Sequence, residues 1–418
     1  MRSQYAAAER HAADPLVVRT VSVGDPGDLV ACLPDPEVVA WLRGGDGLVG
    51  WGEAARLTLP AGADRFEAGE QWLRELFETA VVTDEAGVPG SGPVAFGSFT
   101  FDPACAGSVL VVPAAVLGRR DGRAWMTTIS GGAGSGLLPA SRPVTAPAEV
   151  RWSDGSLTAP RWQNAVAAAV ARIRAGELRK VVLARDLHAL ASAPLDMRML
   201  LARLTARHPG SYTFACAGLT GATPELLVRR TGPQVSSLVL AGTVARGGTG
   251  AEDEALSAAL LASAKDAEEH QYAVDSVREA LGPLCDDLDV AAEPELLRLP
   301  DVQHLATPVH GTLSGDVSAL ALAAALHPTA AVCGTPTRTA LKLIRELEGM
   351  DRGRYTGPVG WVDSRGNGEW GIALRCGEID GARARIFAGG GIVAGSDPAA
   401  ELAEAQAKFR PMRLALES

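Results

Sequence analysis

The chain has 418 residues, 47% hydrophobic and 21% charged, which supplies ample apolar material for a core and excludes wholesale disorder. With 39 Lys and Arg against 49 Asp and Glu, the formal charge of −10 argues against a general nucleic-acid binder or a protein held on anionic lipid, though a local basic pocket is compatible with it. Six single cysteines with no C-x-x-C pair read as reduced core thiols; residues 1–16 have no apolar targeting segment, and the most apolar stretch, 317–326, is about half a membrane span, so a soluble cytoplasmic protein is expected.

In chain order, the spacing of Phe66, Trp72, Leu73, Leu76 and Phe77 predicts a helix over 65–79, and short apolar runs set off by turns predict strands over 92–101 and 108–117. Gly and Pro gather over 84–93 and over 130–147, SGGAGSGLLPASRPVTAP, which cannot sustain a helix or a central strand. The second run is the expected boundary between an N-terminal part, 1–150, and a region 151–418 where readable signals are denser. There follow a helix over 161–175, a strand over 180–184, a helix over 196–206, strands over 211–217 and 226–230, and a long helix over 253–281. The mixture is strand-rich and its helices do not alternate strictly with strands. This disfavours a doubly wound parallel sheet and predicts an α+β fold with large antiparallel sheets.

Within the long predicted helix, AKDAEEHQYAVD (264–275) puts Asp266, Glu269 and His270 on one helical face. A second helix, after the cap-like Ser396-Asp397-Pro398, puts Glu401, Glu404 and Lys408 on one face. Taken singly, each reads most simply as a solvated acidic face. If the two faces met, two to four carboxylates would make an oxygen-only site suited to Mg²⁺. Gly389-Gly390-Gly391 is not a G-x-G-x-x-G fingerprint and marks either a bulge or a close approach of backbone to a ligand. Arg375, in a short apolar strand expected over 370–376, needs a carboxylate partner from the protein or from a substrate. Lys180 and Glu225 each precede an apolar strand, where a snorkelling lysine and a solvated turn carboxylate are the ordinary readings. With no H-E-x-x-H, no G-x-S-x-G and no P-loop, nothing favours hydrolase or nucleotide chemistry.

Eight segments taken in order resemble the chorismate-utilising enzymes, most closely the isochorismate synthases, across about residues 160–410. They are Lys180-Val181-Val182-Leu183-Ala184-Arg185, Thr223-Pro224-Glu225-Leu226-Leu227, Leu240-Ala241-Gly242-Thr243, Lys265-Asp266 through Glu269-His270, Gln303-His304-Leu305-Ala306-Thr307, Leu326-His327-Pro328-Thr329 through Gly334-Thr335-Pro336, Tyr355-Thr356-Gly357-Pro358-Val359-Gly360, and the terminal glycine strand with its Glu/Lys helix. The resemblance implies one structural domain of large antiparallel sheets with surrounding helices, its divergent N-terminal third completing the sheets. It implies Mg²⁺-dependent isomerisation of chorismate to isochorismate, with water added at one ring carbon and the hydroxyl lost from another. Lys180 would be the base, neutral part of the time, and Glu225 the acid, protonated by burial. Glu269 and Glu404 would hold Mg²⁺ against the ring carboxylate, with Asp266 and Glu401 near it and Lys408 adding positive charge. Arg375, Tyr355 and N–H groups around Gly389 and Gly390 would meet the enolpyruvyl carboxylate, and Gly242, Thr243, His304 and Ala331 complete the substrate site.

Within the family, aminodeoxychorismate synthases commonly carry a nucleophilic Lys where Ala241 stands, and anthranilate synthases typically lack a lysine at the Lys180 position and require an amidotransferase. Salicylate synthases share Lys180 and Glu225 but favour Thr where this chain has Ala331. The resemblance therefore implies that the reaction stops at isochorismate, with no amidotransferase subunit, in a monomer or homodimer; a salicylate synthase and a catalytically silent chorismate-binding protein are the alternatives. It does not separate menaquinone from siderophore biosynthesis. Departures from the pattern are Ala330 for a frequent Pro, Val244 for a frequent basic residue, and Glu268 beside Glu269, where the spacing favours Glu269 as the ligand.

Overall fold

The computed structural model describes residues 15–130 and 143–417, so most of the Gly/Pro-rich run expected as a boundary, and nearly all of the 1–16 segment, lie outside the described residues. Two sheets, of 13 and 10 strands, dominate the fold. All pairings are antiparallel except Val17–Val23 with Val81–Asp84. The first sheet runs from Val150–Asp154 through Lys180–Ala191, Arg383–Ile392, Cys376–Asp380, Leu219–Thr223 and Tyr212–Cys216 into Val38–Arg43 and the strands beyond it. The second runs from Cys285–Val290 through Val302–Leu313, Gln234–Ala245, Leu226–Thr231, Gly368–Ile372 and Pro358–Asp363 into Val94–Ser98, Ser108–Val112 and Ala55–Leu59. Strands from before residue 130 thus extend both sheets.

One aromatic cluster, including Trp41, Phe96, Trp125, Phe214 and Trp361, draws on both sheets and is their shared interior. On the outer face of the first sheet, Leu200 and Leu204 of Met197–Arg207 and Phe409 and Met412 of Pro398–Glu417 pack on Ala384 and Ile386. Ala264–Leu281, Ala319–Leu326 and Arg65–Glu78 cover the second. Among the described residues no helix is long and apolar enough to cross a membrane.

Three predicted elements are corrected. The helix expected over 253–281 is two, Gly250–Ala262 and Ala264–Leu281, because Ser263 leaves the helical region (ψ 110°) and its side chain accepts the Asp266 N–H at 3.2 Å, a cap that outcompetes continuation through an Ala-rich run. The run over 108–117 splits at Pro113, with Ser108–Val112 in the second sheet and Ala115–Arg120 in the first. The strand expected over 370–376 stops at Ile372; the next starts at Cys376 in the other sheet, and Arg375 between them adopts the left-handed region at φ +49°.

Glu369, on the inner face of the second sheet, ties the sandwich together by accepting from Trp41 Nε1 at 2.9 Å, Arg120 at 2.6 Å and Arg229 at 3.2 Å. Burial alone would raise its pKa, but the two arginines and the indole hold it below the ordinary value. A depressed carboxylate contributes stability above its unfolded pKa and loses it as the pH falls through the folded one. Glu369→Gln should therefore lower stability in urea at pH 7 by roughly 2 kcal/mol, through two partly buried arginines left without their counter-charge. The deficit should narrow as the pH is taken below 4.5, the ordinary glutamate value; a deficit independent of pH would contradict this.

Candidate active site

The site forms where chain segments leave one sheet for the other. Glu225 lies between Leu219–Thr223 of the first sheet and Leu226–Thr231 of the second, and Arg375 makes the reverse crossing. Residues at such crossings are released from the ladder, and Glu225 and Arg375 both line one cavity. A third irregularity faces them. The Gln234–Ala245 strand bulges at Gly242 (φ +72°), opposite His304 on Val302–Leu313.

The floor is Arg383–Ile392, paired with Lys180–Ala191 so that Gly389, Gly390 and Gly391 stand opposite Ala184, Leu183 and Val182. A Cβ on Gly391 would lie 1.9 Å from Glu269 Oε1 and 2.9 Å from Lys180 Cε; one on Gly390 would lie 3.2 Å from Glu401 Oε2 and 3.5 Å from Glu404 Oε1. The missing side chains are what let two helices and a lysine reach the strand. The two acidic helix faces do meet here: Lys265 of Ala264–Leu281 donates to Glu401 of the C-terminal helix at 2.7 Å.

Glu225, Gly242, Thr243, Glu269, His304, Ala331, Tyr355, Arg375, Gly389, Gly390 and Lys408 all wall one cavity. Lys180, Asp266, Glu401 and Glu404 adjoin these lining residues without lining the cavity themselves. Lys180 does not snorkel; it is fully buried, with Nζ 3.3 Å from Glu269 Oε1 and 3.4 Å from the Glu269 carbonyl. Lys408 donates to Glu404 at 2.5 Å and to the Gly389 carbonyl at 3.0 Å. Asp266 is half-buried under Gly242. Glu268 is exposed and accepts from Tyr272 at 2.7 Å, so of the adjacent pair only Glu269 reaches the cavity.

Burial pushes Glu225 up to about 8, against the opposing pull of Lys180, a backbone N–H, Arg375 and Lys408, so the carboxyl is protonated at neutral pH. Burial, then Arg375 and Lys408, holds His304 well below the ordinary histidine range, so it is neutral. Arg375 donates to His304 Nε2 at 3.1 Å, which assigns the ring proton to Nδ1, facing Thr243 Oγ1 at 3.0 Å and the Gly242 carbonyl at 3.4 Å. Arg375 forms no salt bridge among the described residues, and the side chain it donates to is a neutral ring, which leaves its charge for an anionic ligand. Tyr355 is buried and stacked on Phe387 (4.9 Å, 8°), and burial raises its pKa, so the phenol keeps its proton as a donor.

Sequence reasoning assigned no role to Lys265 or His270. His270 Nδ1 donates to the Ala241 carbonyl at 3.2 Å and Nε2 accepts from Thr307 at 2.7 Å, bracing the bulge from below; burial lowers its pKa to about 4. Glu269, Glu401 and Glu404 are oxygen donors of the kind a hard divalent cation takes, and Glu401 is pushed up by burial and by Glu404, a repulsion that added positive charge relieves. Among the described residues no three acidic, His or Cys side chains are gathered tightly enough to form a ready cation cage, and each of these glutamates is instead matched by a lysine. In donor chemistry the site fits Mg²⁺.

A glutamate with a raised folded pKa costs stability increasingly as the pH climbs from its unfolded value toward its folded one, roughly 1.4 kcal/mol per unit of displacement. Glu225→Gln should therefore melt higher than the parent at pH 8, with the advantage shrinking as the pH is lowered to 5. Equal melting temperatures throughout would mean that the carboxyl is not held protonated.

A family model described as "Chorismate binding enzyme" matches residues 138–417. The chain is 45% identical over 267 residues to isochorismate synthase DhbC of Bacillus subtilis, covering 61% of this chain and 67% of that one. It is 42% identical over 344 residues to a putative isochorismate synthase MenF of Mycobacterium tuberculosis, covering 78% and 87%. Among solved structures it resembles MenF, the menaquinone-specific isochorismate synthase of Escherichia coli, with TM-score 0.80 and 26% identity over 97% of this chain and 96% of that one. The chain belongs to the chorismate-binding enzyme family.

Proposed function

We propose that the protein is a cytoplasmic isochorismate synthase that isomerises the small molecule chorismate by exchanging a ring hydroxyl for water at a different ring carbon. The observation that carries the reading is Glu225, a carboxyl kept protonated at neutral pH in the same cavity as an unneutralised arginine and beside a fully buried lysine. The names of the relatives support the same chemistry.

On this reading Lys180 is the base that takes a proton from the attacking water, and Glu225 gives its proton to the departing hydroxyl, which leaves as water. Substrate and product are isomers, and one proton has passed from acid to base. Arg375, the Tyr355 hydroxyl and the N–H groups around Gly389 and Gly390 bind the enolpyruvyl carboxylate; Gly242, Thr243 and His304 line the opposite wall. Mg²⁺, held by Glu269 and Glu404 with Asp266 and Glu401 near it, would supply the positive charge that the ring carboxylate needs, and Lys408 adds to it. Ala331 presents only a methyl group to the cavity, which leaves the enolpyruvyl arm free of the bent pose that pyruvate elimination needs.

Incubation of the pure protein with chorismate and Mg²⁺ should accumulate isochorismate with little salicylate, and no anthranilate when ammonia is supplied. EDTA should stop turnover, as should Glu269→Gln or Glu404→Gln. Stoichiometric salicylate and pyruvate on chromatography would move the protein to the salicylate synthases; turnover surviving EDTA would remove the metal assignment.

Lys180→Ala and Glu225→Gln should each lower kcat by at least about 100-fold while chorismate still binds, since the groups that hold both carboxylates remain. Calorimetry showing that binding is lost together with turnover in both variants would make the two residues anchors instead.

A further inference from the structure

Val182, Ala331, Val332, Tyr355 and Thr356 wall the cavity from three separate segments: the Lys180–Ala191 strand, the 329–333 loop and the 354–357 turn. One ion pair, Glu348 with Arg352, lies behind all three, with the residues 1% and 2% exposed. All five guanidinium N–H donors are used. Nε and Nη2 donate to the Glu348 carboxylate at 2.9 and 2.5 Å, Nη2 also to the Val182 carbonyl at 2.8 Å, and Nη1 to the Val332 carbonyl at 2.9 Å and Thr356 Oγ1 at 3.1 Å. The Glu348 carboxylate in turn accepts the Ala184 N–H at 2.7 Å, and the Thr356 hydroxyl donates to the Tyr355 carbonyl at 2.6 Å in a left-handed turn (φ +61°). A pair this deep adds little stability over well-packed apolar side chains. What it offers is reach, because a planar fork spreads five donors in fixed directions over several backbone segments, whereas an ammonium has three on one compact centre.

We propose that Arg352, set by Glu348, is a positioning residue for the reaction: it fixes the strand that carries Lys180 against the wall that carries Ala331 and Tyr355. It is not part of the cavity wall itself. The proposal rests on the reaction assigned above. Arg352→Lys keeps a charge opposite Glu348 but loses the fork. Its kcat should fall roughly 10- to 100-fold, as expected for displaced reacting groups, with KM changed by less than about threefold. Amide hydrogen exchange should rise in 180–184, 329–333 and 354–357 while the other sheet strands stay protected.

Thr356→Val, which removes only the hydroxyl, should shift kcat and exchange the same way by less, and Thr356→Ser should restore both. If Arg352→Lys melts lower but keeps its kcat and its segment exchange at a temperature where it is folded, the pair is a brace for stability alone and the proposal is overturned. If that variant fails to fold, the Thr356 pair decides, and Val matching Ser in both readouts overturns it. A parent protein inactive on chorismate would overturn the assigned reaction instead, and the exchange pattern would still show whether Arg352 holds the three segments.

Discussion

Three successive residues without side chains make the rest of the site sterically feasible. Any Cβ on Gly391 would collide with the Glu269 carboxylate, and one on Gly389 would come within 2.4 Å of the Leu183 carbonyl. Because Gly389, Gly390 and Gly391 nevertheless keep their pairing with Lys180–Ala191, the floor stays a rigid strand while two helices approach close enough to bring their acids and lysines together. Glycine in a strand interior costs stability through chain entropy and lost packing. Here a continuous antiparallel ladder and the buried sandwich behind it offset that cost.

The crossings between the sheets then decide the electrostatics. Glu225 and Arg375 occupy opposite crossings, away from bulk water, where an ionised group is expensive unless it is matched. The carboxyl responds by staying protonated. The guanidinium cannot lose its proton, so it is held by a neutral imidazole whose other nitrogen is fixed by the Gly242 bulge. Lysines pair with three carboxylates of the two helices, Lys180 with Glu269, Lys265 with Glu401 and Lys408 with Glu404. In a chain with a net charge of −10, this cavity thus keeps one arginine with no carboxylate salt bridge among the described residues.

Much of this is legible in the amino-acid sequence. Helical spacing puts Asp266, Glu269 and His270 on one face; Glu269 lines the cavity, His270 is buried under the Gly242 bulge, and Asp266, one turn earlier, is only half-buried at the helix start. Glu401 and Glu404 were likewise paired by spacing, but their meeting with the other helix depends on Lys265, 136 residues away in sequence, and no local pattern encodes that distance. Two errors were avoidable. Ser263 with Asp266 three residues on is a helix-start signal that the Ala-rich surroundings masked, and Pro113 marks the place where one apolar run passes from sheet to sheet. Another was not avoidable. Lys180 looks like a strand-end lysine until Glu269 is seen beside it.

The central claim is that the acid on one crossing and the lysine beside the glycine strand exchange a hydroxyl for water, rather than moving the substrate's own oxygen around its ring. Turnover of chorismate in ¹⁸O-enriched water, with mass analysis of the isochorismate formed, tests it directly. The account predicts one solvent oxygen in each product molecule, located at the newly hydroxylated ring carbon; product carrying only the original oxygens would contradict it.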